Sequence, residues 1–423
     1  MPIQKITSGI IEDGAVTAAD IVSVSNTAIS GNIISSQITS VANTQITGTI
    51  TGSQISSNTL SNTVFQTGSV ENYMNATGLS FGMRNRIING AMVIDQRNAG
   101  ASQTPINGAY MLDRWTINVS QTSKLTQQQN AGAVTPPAGF SKYMGFTSSS
   151  AYSLLTTDYF VFNQYIEGLN VADLALGTAS AATVSLSFWV RSSLTGTFGG
   201  SLRNGAGTRS YPFSYTINTA NTWEQKTITV AGDTSGTWTT DTGIGLILTL
   251  SLGAGSTFNG TVNAWSTGNY LQSSGATSVV GTNGATFYIT GVQLEKGSTA
   301  TAFDYRDIGR ELIMCQRYFE RSYNIGSATG SFTNGFIGFN TPLTATSDIP
   351  TNILFKVTKR DTPTVVVYNA VSGASGAAYR ASDAGSISVT GINYVGTNGV
   401  GNLSLASGSV NNYLIHYTAS SEL

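Results

Sequence analysis

Apolar and polar positions along this chain follow two periods, and the two mark out its elements. The clearest strand is Thr183–Arg191 (TVSLSFWVR). Val184, Leu186, Phe188 and Val190 share one face, and Ser185, Ser187, Trp189 and Arg191 share the other. That is the period of two by which a strand sends successive side chains to opposite sides of a sheet. Similar runs, separated by turn residues, predict strands at Tyr110–Val119, Phe140–Thr147, Asp158–Glu167, Tyr211–Ile217, Trp223–Val230, Ile244–Leu252 and Thr286–Leu294. About eight such segments across residues 84–306 make the pattern of a two-sheet antiparallel jelly roll. A second set, Asn352–Lys359, Thr364–Asn369, Ser386–Tyr394 and Asn411–Tyr417, predicts a small C-terminal β-sandwich over residues 324–423, read as the distal tip.

Between the two sets the period changes to that of a helix. Ile308, Leu312, Cys315 and Phe319 recur at steps of four, three and four, with Asp307 at the N-cap position. This predicts one short helix over residues 307–323. Its apolar stripe packs either on its own domain or along a seam between chains, because so short a helix is no stable coiled coil alone.

Ile21–Val70 fits neither period. It contains no Asp, Glu, Lys or Arg, and Ile and Val recur every four or five residues among Ser, Thr, Asn, Gln and Gly. Asn26–Ser40 realigns onto Asn43–Ser57 at an offset of 17, with 9 of 15 positions identical. Such repeats bury too little to form a core singly, and a plain linker has no need of register. Residues 21–83 are therefore read as a repetitive oligomeric stalk and collar, behind an attachment segment at 1–20 that carries the few charges of that end. The expected fold class is mainly β, with a fibrous stalk, a jelly-roll sandwich, one short helix and a small C-terminal sandwich.

Composition narrows the function. Charged residues are 10% of the 423, against roughly 25% in ordinary soluble domains. The net charge of −1 offers no footprint for nucleic acid or an anionic membrane. No apolar run approaches the roughly 18 residues a membrane span needs, so no membrane insertion is expected. MPIQKITSG has no signal-peptide pattern, and Cys315 is the only cysteine, so no intrachain disulfide forms. These features suit a particle assembled in a host cytoplasm and released by lysis.

Four blocks carry a resemblance. NRIINGAMVIDQRNAG (Asn85–Gly100), YMLDRW (Tyr110–Trp115), SFWVRSS (Ser187–Ser193) and YITGVQLEKGSTATAFDYRDIGRELIMCQRYFERSY (Tyr288–Tyr323) resemble a family of bacteriophage tail-fibre proteins, as do the repeats at 21–70 and the final TASSEL. The block around GVQLEKG is the most specific. The resemblance implies a jelly roll similar to carbohydrate-binding modules behind a homotrimeric stalk. It also implies a place in the virion tail, docking onto other tail proteins through the N-terminus, and host attachment. The number three comes from the resemblance alone. Related jelly rolls often hold calcium through an Asn-Gly-x-x-Glu-like opening and an acidic pair before the last strand. This chain has Asn89, Gly90 and Met92–Ile94 at the first place and Thr290-Gly291 at the second. The carboxylates calcium prefers are missing there, so no metal is expected.

The chemistry available is that of binding. His416 is the only histidine, no nucleophile elbow, phosphate loop or two-histidine zinc motif occurs, and Cys315 lies on the helix stripe. No catalytic set and no cofactor are expected. A glycan depolymerase needs only two carboxylates about 5–10 Å apart, which sequence does not reveal, and it stays an alternative beside a purely structural tail or baseplate component. Bacterial surface polysaccharide is the expected partner, because sugars are held by flat aromatic faces with hydrogen-bonding side chains around them. Trp189 with Arg191 forms one candidate platform, and its other reading is a lid over the sandwich edge or a subunit contact. Trp265 and Tyr270, on the long loop Gly253–Gly284, form a second, and for Trp265 the other reading is loop anchoring. Trp115 within DRW reads as core.

Overall fold

In the computed structural model, residues 83–332, 335–341, 348–406 and 411–423 are described. The attachment segment and the stalk read at 1–83 lie outside the described residues, Met83 apart. Glu71–Leu423 form one compact unit. In chain order its strands are β1 (Ala109–Leu112), β2 (Trp115–Val119), β3 (Leu125–Gln129), β4 (Met144–Ser148), β5 (Tyr159–Glu167), β6 (Val184–Ser192), β7 (Gly196–Arg203), β8 (Arg209–Ile217), β9 (Glu224–Val230), β10 (Ile244–Ala254), β11 (Asn259–Gly260), β12 (Ser266–Thr267), β13 (Gln272–Ser273) and β14 (Thr286–Lys296). The helix α1 (Ile308–Gln316) follows, then β15 (Phe319–Arg321), β16 (Ile337–Thr341), β17 (Asp348–Leu354), β18 (Thr364–Asn369), β19 (Ala377–Arg380), β20 (Gly385–Gly396), β21 (Gly399–Leu405) and β22 (Asn411–Ser420).

The protein is mainly β, and its larger part is a two-sheet jelly-roll sandwich. A seven-stranded sheet of order β1-β2-β5-β10-β7-β8-β12 faces a five-stranded sheet of order β3-β4-β14-β6-β9. The alternation in β6 does what its pattern predicts: Leu186, Phe188 and Val190 are fully buried, while Trp189 and Arg191 look outward and are half-buried. Leu246, Leu248, Leu250 and Leu252 of β10 enter the same core, with Trp115, Phe146, Phe162 and Phe287. Each such side chain contributes roughly 1.5–3 kcal/mol by leaving water.

Several expectations need correcting: the strand expected at Phe140–Thr147 begins only at Met144, and the one expected at Asn352–Lys359 ends at Leu354. Tyr110–Val119 is two strands, because Leu112 pairs with Trp115 across a two-residue turn, Asp113–Arg114, with Arg114 at φ +69°. The helix stops at Gln316 instead of reaching Tyr323. Asp307 does cap it, accepting from the N–H groups of Gly309 (2.9 Å) and Arg310 (3.3 Å). Phe319–Arg321 then leave the helix stripe to pair with β22. Cys315 and Leu312 pack against Ile88, Ile94 and Tyr318 of the same chain. β7 (GTFGGSLR) was not expected at all, because its glycines hide the strand signal. A Cβ on Gly200 would stand 2.5 Å from the ring of Phe213, so the core aromatic of β8 requires glycine opposite it. The long loop Gly253–Gly284 is tied down by short pairings, β11 with β13 and β12 with β8.

In the C-terminal part, β22 pairs with β15, β16, β18 and β19. The sheet curls over Ile349, Ile353, Leu403, Leu405, Tyr413, Ile415 and Tyr417. Its centre is an ion pair without solvent access. Glu320 accepts from Lys359 Nζ at 2.5 Å and from the Tyr417 hydroxyl at 2.6 Å, and both charged side chains are 0% exposed.

The two β parts meet at a buried polar joint. Glu422 lies between Arg97 (2.6 Å) and Arg114. The Arg97 guanidinium stacks 3.7 Å above Phe319 and that of Arg114 3.6 Å above Tyr318. Glu167 accepts from Arg317 (2.6 and 3.0 Å) and from the Tyr318 hydroxyl (2.6 Å). The Gln96 amide donates to Asp113 Oδ1 (2.7 Å) and to the Phe319 carbonyl (2.9 Å).

Two outcomes follow for stability. Glu320→Gln leaves the Lys359 ammonium buried without a counter-charge, and such a loss costs about 3–5 kcal/mol. Denaturant unfolding should register it, and a loss under about 1 kcal/mol would contradict the pairing. Burial raises the Asp113 carboxyl from 3.8 to about 6, against the pull of Arg97 and of the Gln96 hydrogen bonds. A folded-state pKa above the unfolded one means that the native state holds the proton more tightly, so stability falls as pH rises from about 4 to about 6 and is constant above that. The melting temperature of Asp113→Asn, relative to the parent, should therefore rise between about pH 4 and 6 and flatten above about pH 7. A difference independent of pH would contradict this.

Candidate functional site

The outward face of the five-stranded sheet is crossed by two straps that leave Trp189 between them. In register, Trp189 stands opposite Thr290 of β14 and Gln225 of β9, and Arg191 stands opposite Tyr288. The first strap, residues 130–143, is pinned by rings. Tyr143 packs on Tyr288 (5.2 Å between centroids) and on Trp223 (5.5 Å), and the Trp223 indole N–H donates to the Thr135 carbonyl at 2.9 Å. The second strap, residues 297–306, is pinned by β14 and β6. Glu295 accepts from the Thr301 N–H (2.8 Å) and hydroxyl (2.7 Å), and the Ser185 hydroxyl donates to the Gly297 carbonyl (2.8 Å). The straps meet in a cluster of three rings, Phe140, Phe303 and Tyr305, with centroids 5.0–5.6 Å apart.

Two glycines make this meeting possible. β14 bulges between Thr290 and Gln293, and Gly291 at the bulge has φ +62°, a conformation glycine adopts without steric cost. A Cβ there would fall 2.6 Å from Phe140 Cζ and 3.1 Å from Trp189 Cδ1, so both rings close over the bulge because Gly291 has no side chain. On the other side a Cβ on Gly90 would lie 2.1 Å from the Val292 carbonyl oxygen. The segment carrying Asn89–Gly90 can pass directly over β14 for that reason. Among the described residues no group of His, Cys, Asp and Glu is arranged to hold a metal ion.

Against the ring cluster lies a cavity of about 210 Å³. Phe140, Phe303 and Tyr305 form its apolar wall, and Asp304, Arg306 and Glu311 its polar wall. Tyr305 is 60% exposed. The polar wall is rigid. Arg306 donates to the carbonyls of Ile87 (2.9 Å) and Asn85 and pairs with Glu311 (3.3 Å) and Asp304 (3.7 Å). Glu311 also accepts the Asn89 N–H. Flat apolar rings facing fixed charged and amide groups suit a ligand with C–H faces and hydroxyl edges.

Of the residues singled out from sequence, Trp189 and Arg191 lie together on this face. Arg191 Nε donates to the Asn221 carbonyl at 2.9 Å, and the guanidinium sits 5.6 Å from the Tyr288 ring, bracing the first strap. Trp265 and Tyr270 stand elsewhere, beside the edge of the seven-stranded sheet. The Trp265 ring packs on Tyr211 (5.4 Å) and Trp238 (5.3 Å), and its indole N–H donates to the Ala231 carbonyl at 2.7 Å. Tyr270 packs across Gly260 and Gly268. Both have the geometry of loop anchors. Phe140, Phe303 and Tyr305 went unnoticed in sequence, since three aromatics in irregular segments more than 160 residues apart give no local signal.

His416 and Cys315 lie away from this site. His416 is buried in β22, stacked on Tyr323 (3.9 Å, 18°), with its Nδ1 2.9 Å from the Ser322 hydroxyl. Cys315 is buried, and burial pushes its thiol pKa up. Among the described residues no helix is long and apolar enough to cross a membrane.

No protein-family model and no curated protein matches the chain. Solved structures similar to it include the enzymatically active domain of tailspike protein 4 of bacteriophage CBA120 (14% identity, TM-score 0.28, 50% of this chain). The chain spans only 21% of that domain's length. Others are a putative sugar-binding protein of Bacteroides thetaiotaomicron (12%, 0.29, 50% of this chain and 100% of that one) and the carbohydrate-binding module TmCBM61 in complex with β-1,4-galactotriose (11%, 0.26, 50% and 99%). At these identities and TM-scores the likeness carries no functional weight of its own.

Proposed function

We propose that this protein is a homotrimeric phage tail fibre that attaches to a bacterial cell-surface glycan by multivalent binding, without catalysis. The observation that carries the proposal is the cavity against Phe140, Phe303 and Tyr305, with Trp189 beside it on a sheet face otherwise covered by straps. One sugar ring stacked on Tyr305 could reach Asp304, Asn85 and Arg306 with its hydroxyls. A single contact of this kind is weak. Three copies on one stalk raise the effective concentration, and avidity follows without any further contact. In this reading the N-terminal segment docks onto other tail proteins and the protein resides in the virion tail.

One feature supports a second reading, a surface-glycan depolymerase: Asp304 and Glu311 both line the cavity. Both are tied to Arg306, and Glu311 is also held by the Asn89 N–H, an arrangement suited to fixing the wall. Incubation with host polysaccharide separates the readings. Chain shortening that is lost in Asp304→Asn or Glu311→Gln would establish the enzyme and overturn the proposal. A component that only spaces other tail parts would bind no glycan at all.

The proposal predicts that Tyr305→Ala and Trp189→Ala each weaken binding of host-surface oligosaccharide by roughly two- to tenfold, from the loss of one stacked ring worth roughly 0.5–1.5 kcal/mol. Trp265→Ala should instead lower the melting temperature with little effect on affinity per site. Mass measurement in solution should give three chains. Unchanged binding in both Tyr305→Ala and Trp189→Ala would contradict the site, and a monomer at micromolar concentration would contradict the trimer.

A further inference from the structure

We propose that the outward face of the seven-stranded sheet carries a second glycan subsite, in which Arg203 takes the anionic group of an acidic sugar. The inference rests on the glycan-binding reading and adds the ligand's chemistry to it. It begins from the placement of one charge. In register, Tyr165 of β5, Ile247 of β10 and Arg203 of β7 form a row across the sheet. Beside it runs a ladder of neutral polar groups. Asn163 Nδ2 donates to Asn118 Oδ1 (2.7 Å), and the Thr249 hydroxyl donates to Asn163 Oδ1 (2.7 Å). Arg203 closes the ladder. Its Nε and Nη2 donate to the Thr249 hydroxyl oxygen (3.3 and 2.9 Å), and its Nη1 donates to Asn269 Oδ1 (2.5 Å).

Arg203 is 8% exposed, and among the described residues it forms no ion pair. Other shielded arginines differ, Arg114 being buried and Arg209 and Arg306 half-buried. Arg114 pairs with Glu422, Arg209 with Asp233 and Arg306 with Glu311. Arg321, also without a carboxylate, closes a local loop by donating to the carbonyls of Asn324 and Ser327 and to the Thr329 hydroxyl. Arg203 has instead two neutral side-chain oxygens on distant segments. Three of its five N–H groups are used, which leaves two without a protein acceptor among the described residues. A guanidinium with two free N–H groups matches a carboxylate or a phosphate in bidentate contact. Burial without a counter-charge disfavours the cation, and its pKa is lowered to about 10, so an incoming anion would relieve a cost already present. Around it, Asn269 is exposed and Tyr165 and Asn118 are half-buried, and these can meet sugar hydroxyls. The ligand class is thus a sugar bearing a carboxylate or a phosphate.

Calorimetric titration of the full chain with glucuronate, glucose 6-phosphate and glucose tests this. At least one anionic sugar should bind about tenfold or more tightly than glucose, as a charge-assisted bidentate contact allows. The two anions, compared with each other, identify carboxylate or phosphate as the preferred group. Arg203→Gln should abolish the preference, Arg203→Lys should retain only part of it, and Tyr305→Ala, which addresses the other cavity, should leave it intact. The melting temperature of Arg203→Gln should be equal to or above the parent's, since it removes an uncompensated buried charge. Equal binding of all three sugars would overturn the inference, and so would a preference that survives Arg203→Gln. A clear fall in melting temperature with no change in preference would make Arg203 a loop clasp and equally overturn it. Failure of the Tyr305 and Trp189 variants to weaken oligosaccharide binding would count against the first site and not against this one.

Discussion

The described part of the molecule depends on one buried carboxylate. Glu422 sits between the guanidinium groups of Arg97 and Arg114, and each of these stacks on a ring from the segment after the helix, Phe319 or Tyr318. An isolated carboxylate in such a place would be costly, and two arginines offset that cost only when the geometry is satisfied. The arrangement therefore fixes four distant stretches at once: 95–98, 113–115, 317–321 and 418–422. Through β22 it sets the position of the C-terminal sheet. Through the segment preceding Asp95 it sets the passage of Asn85–Gly90 over β14, where Asn85 Nδ2 donates to the Val292 carbonyl at 3.1 Å. Arg306 then donates to Asn85 and Ile87, and the polar wall of the cavity is in place. The candidate site is thus assembled by contacts that begin at the joint between the two β parts.

This gives the most distinctive sequence blocks a physical meaning. NRIINGAMVIDQRNAG, YMLDRW, the run CQRYFER and the Glu of TASSEL supply the joint, and GVQLEKG supplies the bulge with its glycine. They hold the scaffold, and the rings of Phe140, Phe303 and Tyr305 stand outside the joint. The low charge content has the same explanation. Several of the few ionic residues are committed to buried pairs such as Glu320–Lys359 and Arg114–Glu422, and the sheet faces are left to amides, hydroxyls and rings. A surface of that kind suits hydroxyl-rich ligands and multivalent, weak contact.

Much of the fold was legible from alternation alone. β5, β6, β8, β9, β10, β14 and β18 stand where a period of two put them, because each has one face in a core. β7 was hidden by glycines that the Phe213 ring requires. The helix was overextended because Phe319 completes a helical stripe that the pairing of β15 with β22 interrupts, a long-range contact with no local signature. Trp189 was legible as an outward aromatic on an alternating strand. Trp265 stood out just as strongly, and its packing against Trp238 and Tyr211 is a tertiary feature that no spacing reports. Phe140, Phe303 and Tyr305, like Arg203, gain their meaning from neighbours brought together by the sheets, and no spacing in the sequence reports that.

The central claim is that the ring cluster and its cavity hold a sugar. A crystal structure of the protein with an oligosaccharide released from the host surface tests it most directly. The account predicts a sugar ring stacked on Tyr305 within van der Waals distance, roughly 4 Å, with hydroxyls on Asp304 or Arg306 and the neighbouring unit beside Trp189. An oligosaccharide seated instead at the Trp265 edge or on the C-terminal sheet, or found cleaved in the cavity, would contradict it.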